Sequence, residues 1–410
     1  MPTDRSPLEV IHEALATYLI LPEDDLPAVD FIMCVVASQH VPGAAAHHSP
    51  GHAVPHIEPV WGYLLGPPSS GKTGMTHVLD DWPTRTYCTS DLSQTALVSG
   101  YRDDADPDHD PSLLPKLEGK AFVIQDISPL ATSDPREVDK LLGKLRVVFD
   151  GKYTKDFGHV GQRGGRIDTS VLICATPKLD ELALYNQAMG ERLVALRICR
   201  PRESLSEAAR RAAARAILSP DKIAACEAAK GVVHRELDIL FDRLARDPDW
   251  QFPSLPDELD QRLSRVATAV VRIRTSAYKH GPAQPESPDR LLHQLEKLAI
   301  LRSVLSARPP DETDYRFALR IAYDSLPSFL NRLLVELYRT PDYVPQTTLA
   351  ANLKWSGMDL HDRLVQLVHV DAVEFFAAPN RYRLADDYRD LFREVTFFPP
   401  TLYPVLQEAT

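Results

Sequence analysis

The spacing of apolar side chains divides this sequence into four stretches. Residues 8–38 carry them at helical spacing, in LEVIHEALATYLI and, after a break at Leu21-Pro22, in LPAVDFIMCVVASQH. From about 57 to 200 the pattern becomes short, nearly continuous apolar runs separated by helical stretches. The runs are Val60–Leu65, Ala121–Ile124 and Val171–Ala175. Continuous apolar runs suit parallel strands covered on both faces. Their alternation with helices predicts an α/β fold whose ligand sits at the carboxyl ends of the strands. Helical spacing returns from 203 to 325, beginning with an Ala/Arg-rich segment. There Ser287-Pro288 opens a helix through LLHQLEKLAILRSVLSA, with serine at the cap and proline in the first turn. The last stretch, 326–410, reads as helices at 326–339, Gln346–Lys354 and Asp359–Val368. A hairpin of Ala372–Ala377 and Arg381–Leu384 around Pro379-Asn380 follows. Expected boundaries are a helical segment at 1–50, an α/β domain at 51–202, a helical lid at 203–325 and a C-terminal domain at 326–410.

Three helices and a β-hairpin make a winged helix, a module that serves DNA binding and protein docking alike. Composition narrows the rest. The chain is globular, with 44% hydrophobic and 25% charged residues, and no stretch reaches the ~18 uncharged apolar residues of a membrane span. The N-terminus lacks a positively charged start leading into an apolar core, so no secretory signal is expected. Five cysteines, at 34, 88, 174, 199 and 226, are scattered without CxxC spacing. That predicts reduced thiols and a cytoplasmic location, not a disulfide frame or a zinc site. His40, His47, His48, His52 and His56 sit in or beside a Gly/Pro/Ala-rich loop. Imidazoles bind metals, but no cysteine or carboxylate joins them at a ligand spacing, so a polar loop is the plainer reading. Asp103, Asp104, Asp106, Asp108 and Asp110 read as an exposed acidic loop.

The chemistry centres on Gly66-Pro67-Pro68-Ser69-Ser70-Gly71-Lys72-Thr73, which fits G-x-x-x-x-G-K-[ST] without a mismatch. An apolar run leads in, and Lys72–Leu79 is expected to be the helix that follows. Glycines at 66 and 71 let backbone N–H groups approach a phosphate chain. Gly66, Ser70, Gly71, Lys72 and Thr73 are therefore the expected nucleotide-binding residues, with ATP and Mg²⁺ as the cofactors. Lys72 is expected on the β- and γ-phosphates and the Thr73 hydroxyl on Mg²⁺. The second run ends in Gln125-Asp126, where two adjacent acids are the usual ending. Either Asp126 joins Thr73 at the metal, directly or through water, or Gln125 takes the first acid's place and Asp126 is the base. The third run ends in Ala175-Thr176-Pro177; Thr176 is the candidate for orienting the attacking water, and a plain strand-ending turn is the alternative. After Gly190-Glu191 comes Arg192, followed by Arg197 and Arg200. An arginine offered to a neighbouring subunit would stabilise phosphoryl transfer, and plain surface charge is the alternative.

Taken in order, these parts resemble an AAA+ P-loop ATPase of the clade with a hairpin before the third strand. Within that clade the chain looks like the minichromosome-maintenance-like helicases and their phage and mobile-element relatives. The resemblance covers about 57–400. It implies an AAA+ domain with a parallel sheet, a helical lid, a winged helix and a homo-oligomeric ring such as a hexamer. It also implies that LLGKLRVVFDGKYTKDFG precedes a pore hairpin, and that the lid helix carries a phosphate-sensing Arg290, with His293 the alternative match. The acidic pair is broken, and the third run ends in Thr where Asn is more usual.

Charge fits a localised grip on a polyanion, or else a solvated helix face plus a loop. The whole chain has a net charge of −11, against a surface that coats nucleic acid. Between 136 and 166, however, Arg136, Lys140, Lys144, Arg146, Lys152, Lys155, Arg163 and Arg166 face only Glu137, Asp139, Asp150 and Asp156. Gly158, Gly161, Gly164 and Gly165 allow a tight hairpin there. Lys152, Lys155, Arg163 and Arg166 are the expected contacts to a DNA backbone in a pore. A DNA helicase of replication or of a mobile element is the expected function. The rival is an ATP-dependent protein remodeller or switch whose winged helix docks a partner protein.

Overall fold

The computed structural model describes residues 5–44, 46–47, 56–90, 92, 96–99, 101, 112–127, 135–158, 161–178, 192–198, 220–275, 287–377 and 380–395. The acidic loop at 103–110, the Ala/Arg-rich start at 203–219, and His48, His52, His159, Glu191 and Arg200 lie outside the described residues. Described helices are α1 (Pro7–Ala16), α2 (Leu26–His40), α3 (Lys72–Thr76), α4 (Leu114–Leu117), α5 (Pro135–Phe149), α6 (Pro220–Arg246), α7 (Asp257–Thr275), α8 (Asp289–Leu305), α9 (Glu312–Asp324), α10 (Ser328–Arg339), α11 (Gln346–Leu353), α12 (Gly357–His369) and α13 (Asp386–Val395). Strands are β1 (Ala46–His47), β2 (His56–Ile57), β3 (Trp61–Leu65), β4 (Thr86–Thr89), β5 (Lys120–Ile124), β6 (Lys152–Phe157), β7 (Gly161–Arg166), β8 (Thr169–Ala175), β9 (Val194–Arg197), β10 (Val344–Pro345), β11 (Val373–Phe376) and β12 (Arg381–Leu384).

The three apolar runs become β3, β5 and β8 of a five-stranded, wholly parallel sheet in the order β4-β5-β8-β3-β9. Successive side chains of a strand point to opposite faces, and the core divides accordingly. Leu64, Val123, Leu172, Cys174 and Leu196 join a core with α2 and the helices α6–α9. Leu65, Phe122, Ile124, Val171 and Ile173 join a second core with Leu141, Leu145, Val148 and Phe149 of α5. All seven residues of β8 are buried, as its continuous apolar sequence requires.

Asp30 apart, helix α2 is apolar through Ala37, and it is buried from Ala28 through Ser38, the pattern of an internal helix. It lies directly on the sheet. A Cβ at Gly62 would stand 2.4 Å from Phe31 Cζ, so the missing side chain is what admits the phenyl ring. Ser38 Oγ accepts from Val60 N at 3.0 Å, and Gln39 Oε1 accepts from Ser170 N at 2.7 Å. A boundary at residue 50 thus runs through one packed layer. Helices α8 and α9 extend that layer, tied to the N-terminal helices by Asp30. Its carboxylate takes His12 Nε2 at 2.7 Å and Arg302 Nε at 2.8 Å, while Arg302 also reaches the fully buried Asp314 at 2.9 Å. Helix α8 starts at Asp289 with Pro288 in the cap position and no side-chain cap; the Ser287 hydroxyl donates to Asp289 instead.

The C-terminal unit has the three expected helices, α10–α12, and the hairpin β11–β12. Two further elements complete it. Val344–Pro345 adds a strand, giving the antiparallel order β10-β12-β11. Helix α13 follows the hairpin and returns Phe392 against Tyr323 and Tyr338, with ring centroids 5.2 and 6.1 Å apart. Among the described residues no helix is long and apolar enough to cross a membrane.

Candidate active site

The Gly66–Thr73 loop begins at the carboxyl end of β3. Gly66 N donates to Ala175 O at 3.1 Å, so the loop leaves its strand level with the end of β8. Gly66 and Gly71 are glycines for different reasons. A Cβ at 66 would lie 2.6 Å from Ser70 Oγ, whereas Gly71 has φ +97°, a conformation disfavoured for a side-chain-bearing residue. Lys72 folds over the loop: its ammonium donates to Gly66 O at 2.7 Å, Pro67 O at 3.0 Å and Ser70 Oγ at 3.3 Å. Burial lowers its pKa, against the opposing fields of Cys174 and Asp126. The helix expected over Lys72–Leu79 is α-helical to Thr76 and finishes as a 3-10 turn at His77–Leu79.

A cleft of about 520 Å³ opens beside this loop. Ser69–Met75 form one wall, Tyr18–Leu21 another, and Lys222, Ile223, Cys226 and Glu227 of α6 a third. The Tyr18 hydroxyl donates to Gly74 O at 2.8 Å, and a Cβ at Gly74 would stand 2.8 Å from Leu19 Cδ2. These flanking walls escape a motif search. Their trace in the sequence is the Leu21-Pro22 break and a glycine inside the helix that follows the loop.

Asp126 and Thr176 stand on the same edge. Strand β8 runs between β3 and β5, with Leu65 paired to Ala175 and Ile124 to Ile173. Ile127 N donates to Cys174 O at 3.0 Å, which brings the turn after β5 to the end of β8. Gly66, Thr176 and Asp126 therefore follow the carboxyl ends of three adjacent strands. Asp126 is exposed and its field is felt at Lys72, whereas the Gln125 amide donates to Asp80 Oδ1 at 2.8 Å. Among the described residues no group of three or more His, Cys, Asp or Glu is gathered to hold a metal. His40 is committed elsewhere, its Nε2 donating to Arg85 O at 2.9 Å, and burial lowers its pKa to about 4.

Arg192 and Arg290 gather at the opposite edge. Phe149 packs on Trp61, the first residue of β3, with ring centroids 5.1 Å apart. Over the same phenyl ring lie the guanidinium of Arg192 at 5.6 Å and that of Arg290 at 5.7 Å. Four residue steps of a strand, roughly 13 Å, separate Trp61 from the end of β3. Arg290, expected with the nucleotide-binding residues, thus stands with Arg192 over the ring that packs on the first residue of β3. His293, the alternative match, pairs with Glu296 at 3.3 Å. Arg192 is 9% exposed and donates to Asp150 Oδ1 at 3.1 Å and Oδ2 at 3.4 Å.

The glycine-rich hairpin forms as β6 and β7, with Lys152 paired to Arg166 and Lys155 to Arg163. Like charges directly opposite one another destabilise a hairpin, so these pairs need a reason other than stability. Gly164 makes the pairing sterically workable: at φ +105° its missing Cβ would stand 2.0 Å from Tyr153 O. Strand alternation divides the four expected contacts between two faces. Positions 155 and 163 share one face with the buried Tyr153, and position 166 lies on the other. Lys155 is exposed, with its ammonium 4.7 Å from the Phe157 ring centroid; Arg163 is half-buried and donates to Ser99 O at 3.1 Å; Arg166 is exposed. Burial, Lys155 and Lys140 together lower the pKa of Lys144 on α5. No protein-family model matches this sequence, and no curated protein matches it at a significant level.

Proposed function

We propose that this chain is an ATP-hydrolysing, ring-forming AAA+ motor that acts on DNA as a helicase of replication or of a mobile element. The observation that carries the reading is the convergence of a complete phosphate loop, Asp126 and Thr176 on one edge of a parallel sheet. The loop fits a triphosphate. Gly66 leaves room for the Ser70 hydroxyl, Gly71 adopts the φ of +97° that turns the loop into the helix, and the lysine now makes hydrogen bonds to loop oxygens that phosphate oxygens would replace. Thr73 and Asp126 are the residues to hold Mg²⁺, which would neutralise charge on the transferring phosphoryl group. Gln125, engaged with Asp80, is a poor substitute acid, and this favours the metal role for Asp126. Lys72 stabilises the charge that develops in transfer, and Thr176 orients water.

Arg192 and Arg290 stand together over Phe149, which packs on the first residue of β3. They suit a site completed by the adjoining subunit of a ring, where a paired positive charge would meet the transferring phosphoryl group. The helices α6–α9 occupy the lid's place in the sequence. In a ring, the β6–β7 hairpins would line a pore and grip a phosphate backbone without reading sequence.

The protein-remodelling alternative draws support from the C-terminal unit. Residues 326–395 hold ten carboxylates against eight basic side chains, and Met358, Phe375 and Phe376 are exposed. A winged helix with that surface suits a protein better than a phosphate backbone. ATP turnover with and without single-stranded DNA separates the two readings: stimulation favours the DNA motor, and indifference to every nucleic acid favours the remodeller.

A further inference from the structure

Phe149 ends α5 and Lys152 begins β6, so only Asp150 and Gly151 join the helix to the basic hairpin. The joint is taut. Asp150 N donates to Arg146 O at 3.2 Å and Gly151 N to Val148 O at 2.9 Å, while Gly151 O accepts from Ile167 N at 3.0 Å. Both strands of the hairpin are thereby anchored at this dipeptide, and Gly151, at φ +77°, makes the sharp reversal. From that joint the Asp150 carboxylate reaches Arg192 through both oxygens. The Arg192 side chain is 11% exposed and the Asp150 side chain 47%. The surroundings are cationic: burial lowers the Arg192 pKa against the attraction of Asp150, and the charges of Arg290 and Arg146 lower it further.

We propose that Asp150 is a positioning residue that restrains Arg192 until the hairpin is loaded with nucleic acid, coupling DNA engagement to ATP turnover in the adjoining subunit. This rests on the functional reading above. A guanidinium held by a carboxylate must exchange that partner before it can meet a phosphoryl group. Asp150 lies two residues from the first strand of the hairpin, so a backbone gripped by the hairpin pulls on the carboxylate itself. Once it is withdrawn, the repulsion of Arg146 and Arg290 drives Arg192 toward an incoming anion.

The test is steady-state ATP turnover by the full-length chain, with and without saturating oligo(dT), for wild type, Asp150→Asn, Asp150→Ser and Asp150→Glu. Removing the charge is expected to raise basal kcat several-fold toward the stimulated rate. The stimulation ratio should fall to near one while KM for ATP stays unchanged. Asp150→Glu keeps a carboxylate and is expected to retain most of the wild-type ratio. Two results overturn the inference: a stimulation ratio in Asp150→Asn and Asp150→Ser equal to that of wild type, or a fall of kcat in both conditions, which marks a merely structural carboxylate. Absence of stimulation in the wild type overturns the functional reading, and this inference with it.

Discussion

Gly164→Ala is the sharpest perturbation of the basic hairpin. The new methyl would stand 2.0 Å from Tyr153 O and 3.1 Å from Thr154 Cα, both backbone atoms of the paired strand, so no side-chain rotation relieves it. Strain at φ +105° costs about 1–3 kcal/mol, and overpacking costs about 1–3 kcal/mol more. A two-stranded hairpin is marginal by itself, so a loss of this size opens it. Gly165→Ala is the control one residue away: its Cβ meets nothing within 4 Å. The assay is binding of fluorescent single-stranded DNA against salt. Loss of two or three phosphate contacts reduces the log–log slope by roughly 1.4–2.1, at about 0.7 per contact. Basal ATP turnover should survive, because Lys72, Thr73 and Asp126 lie on other elements. A folded Gly164→Ala protein with the wild-type slope would refute the reasoning, and so would a Gly165→Ala protein that is equally impaired.

Three further outcomes are expected. Lys72→Ala should abolish ATP turnover with little change in melting temperature; turnover at the wild-type rate in the folded variant would remove the phosphate loop from the chemistry. Arg192→Ala mixed into wild type should depress turnover more than dilution does, and strict proportionality to the wild-type fraction would count against a shared site. His40 is buried with its pKa lowered to about 4, whereas an unfolded histidine titrates at ~6.5. Its neutral form is favoured in the fold, so its contribution is complete above pH ~6.5 and is lost as pH falls toward 4. Up to about 3 kcal/mol is at stake; denaturant titrations of wild type and His40→Gln should show the wild type losing more stability across that window, and equal losses would exclude the assignment.

The central sheet was legible because Val60–Leu65, Ala121–Ile124 and Val171–Ala175 are continuous apolar runs ending in polar residues. Strands β4 and β9, TYCT and VALR, are too short and too polar at their edges to stand out. Val344–Pro345 is shorter still and takes its form from Tyr382 and Arg381 opposite. Helix α13 does carry a periodic signal in Tyr388, Leu391, Phe392 and Val395, but it directly follows a hairpin and reads as a tail. For the candidate site, the loop motif and the strand-ending residues mark one edge of the sheet, the carboxyl ends of β3, β5 and β8. The cleft walls from Tyr18–Leu21 and α6 depend on chain packing that no local pattern encodes. Adjacency in sequence likewise leaves out the arrangement at the hairpin, where alternation puts Arg163 and Arg166 on different faces.

The most direct test of a DNA-driven ATPase is turnover by the purified full-length chain, with Mg²⁺, as single-stranded DNA is titrated in at several salt concentrations. A motor of this kind hydrolyses ATP through Lys72, accelerates when DNA is added, and loses that acceleration steeply as salt rises. ATP turnover that no nucleic acid changes at any salt concentration would contradict it.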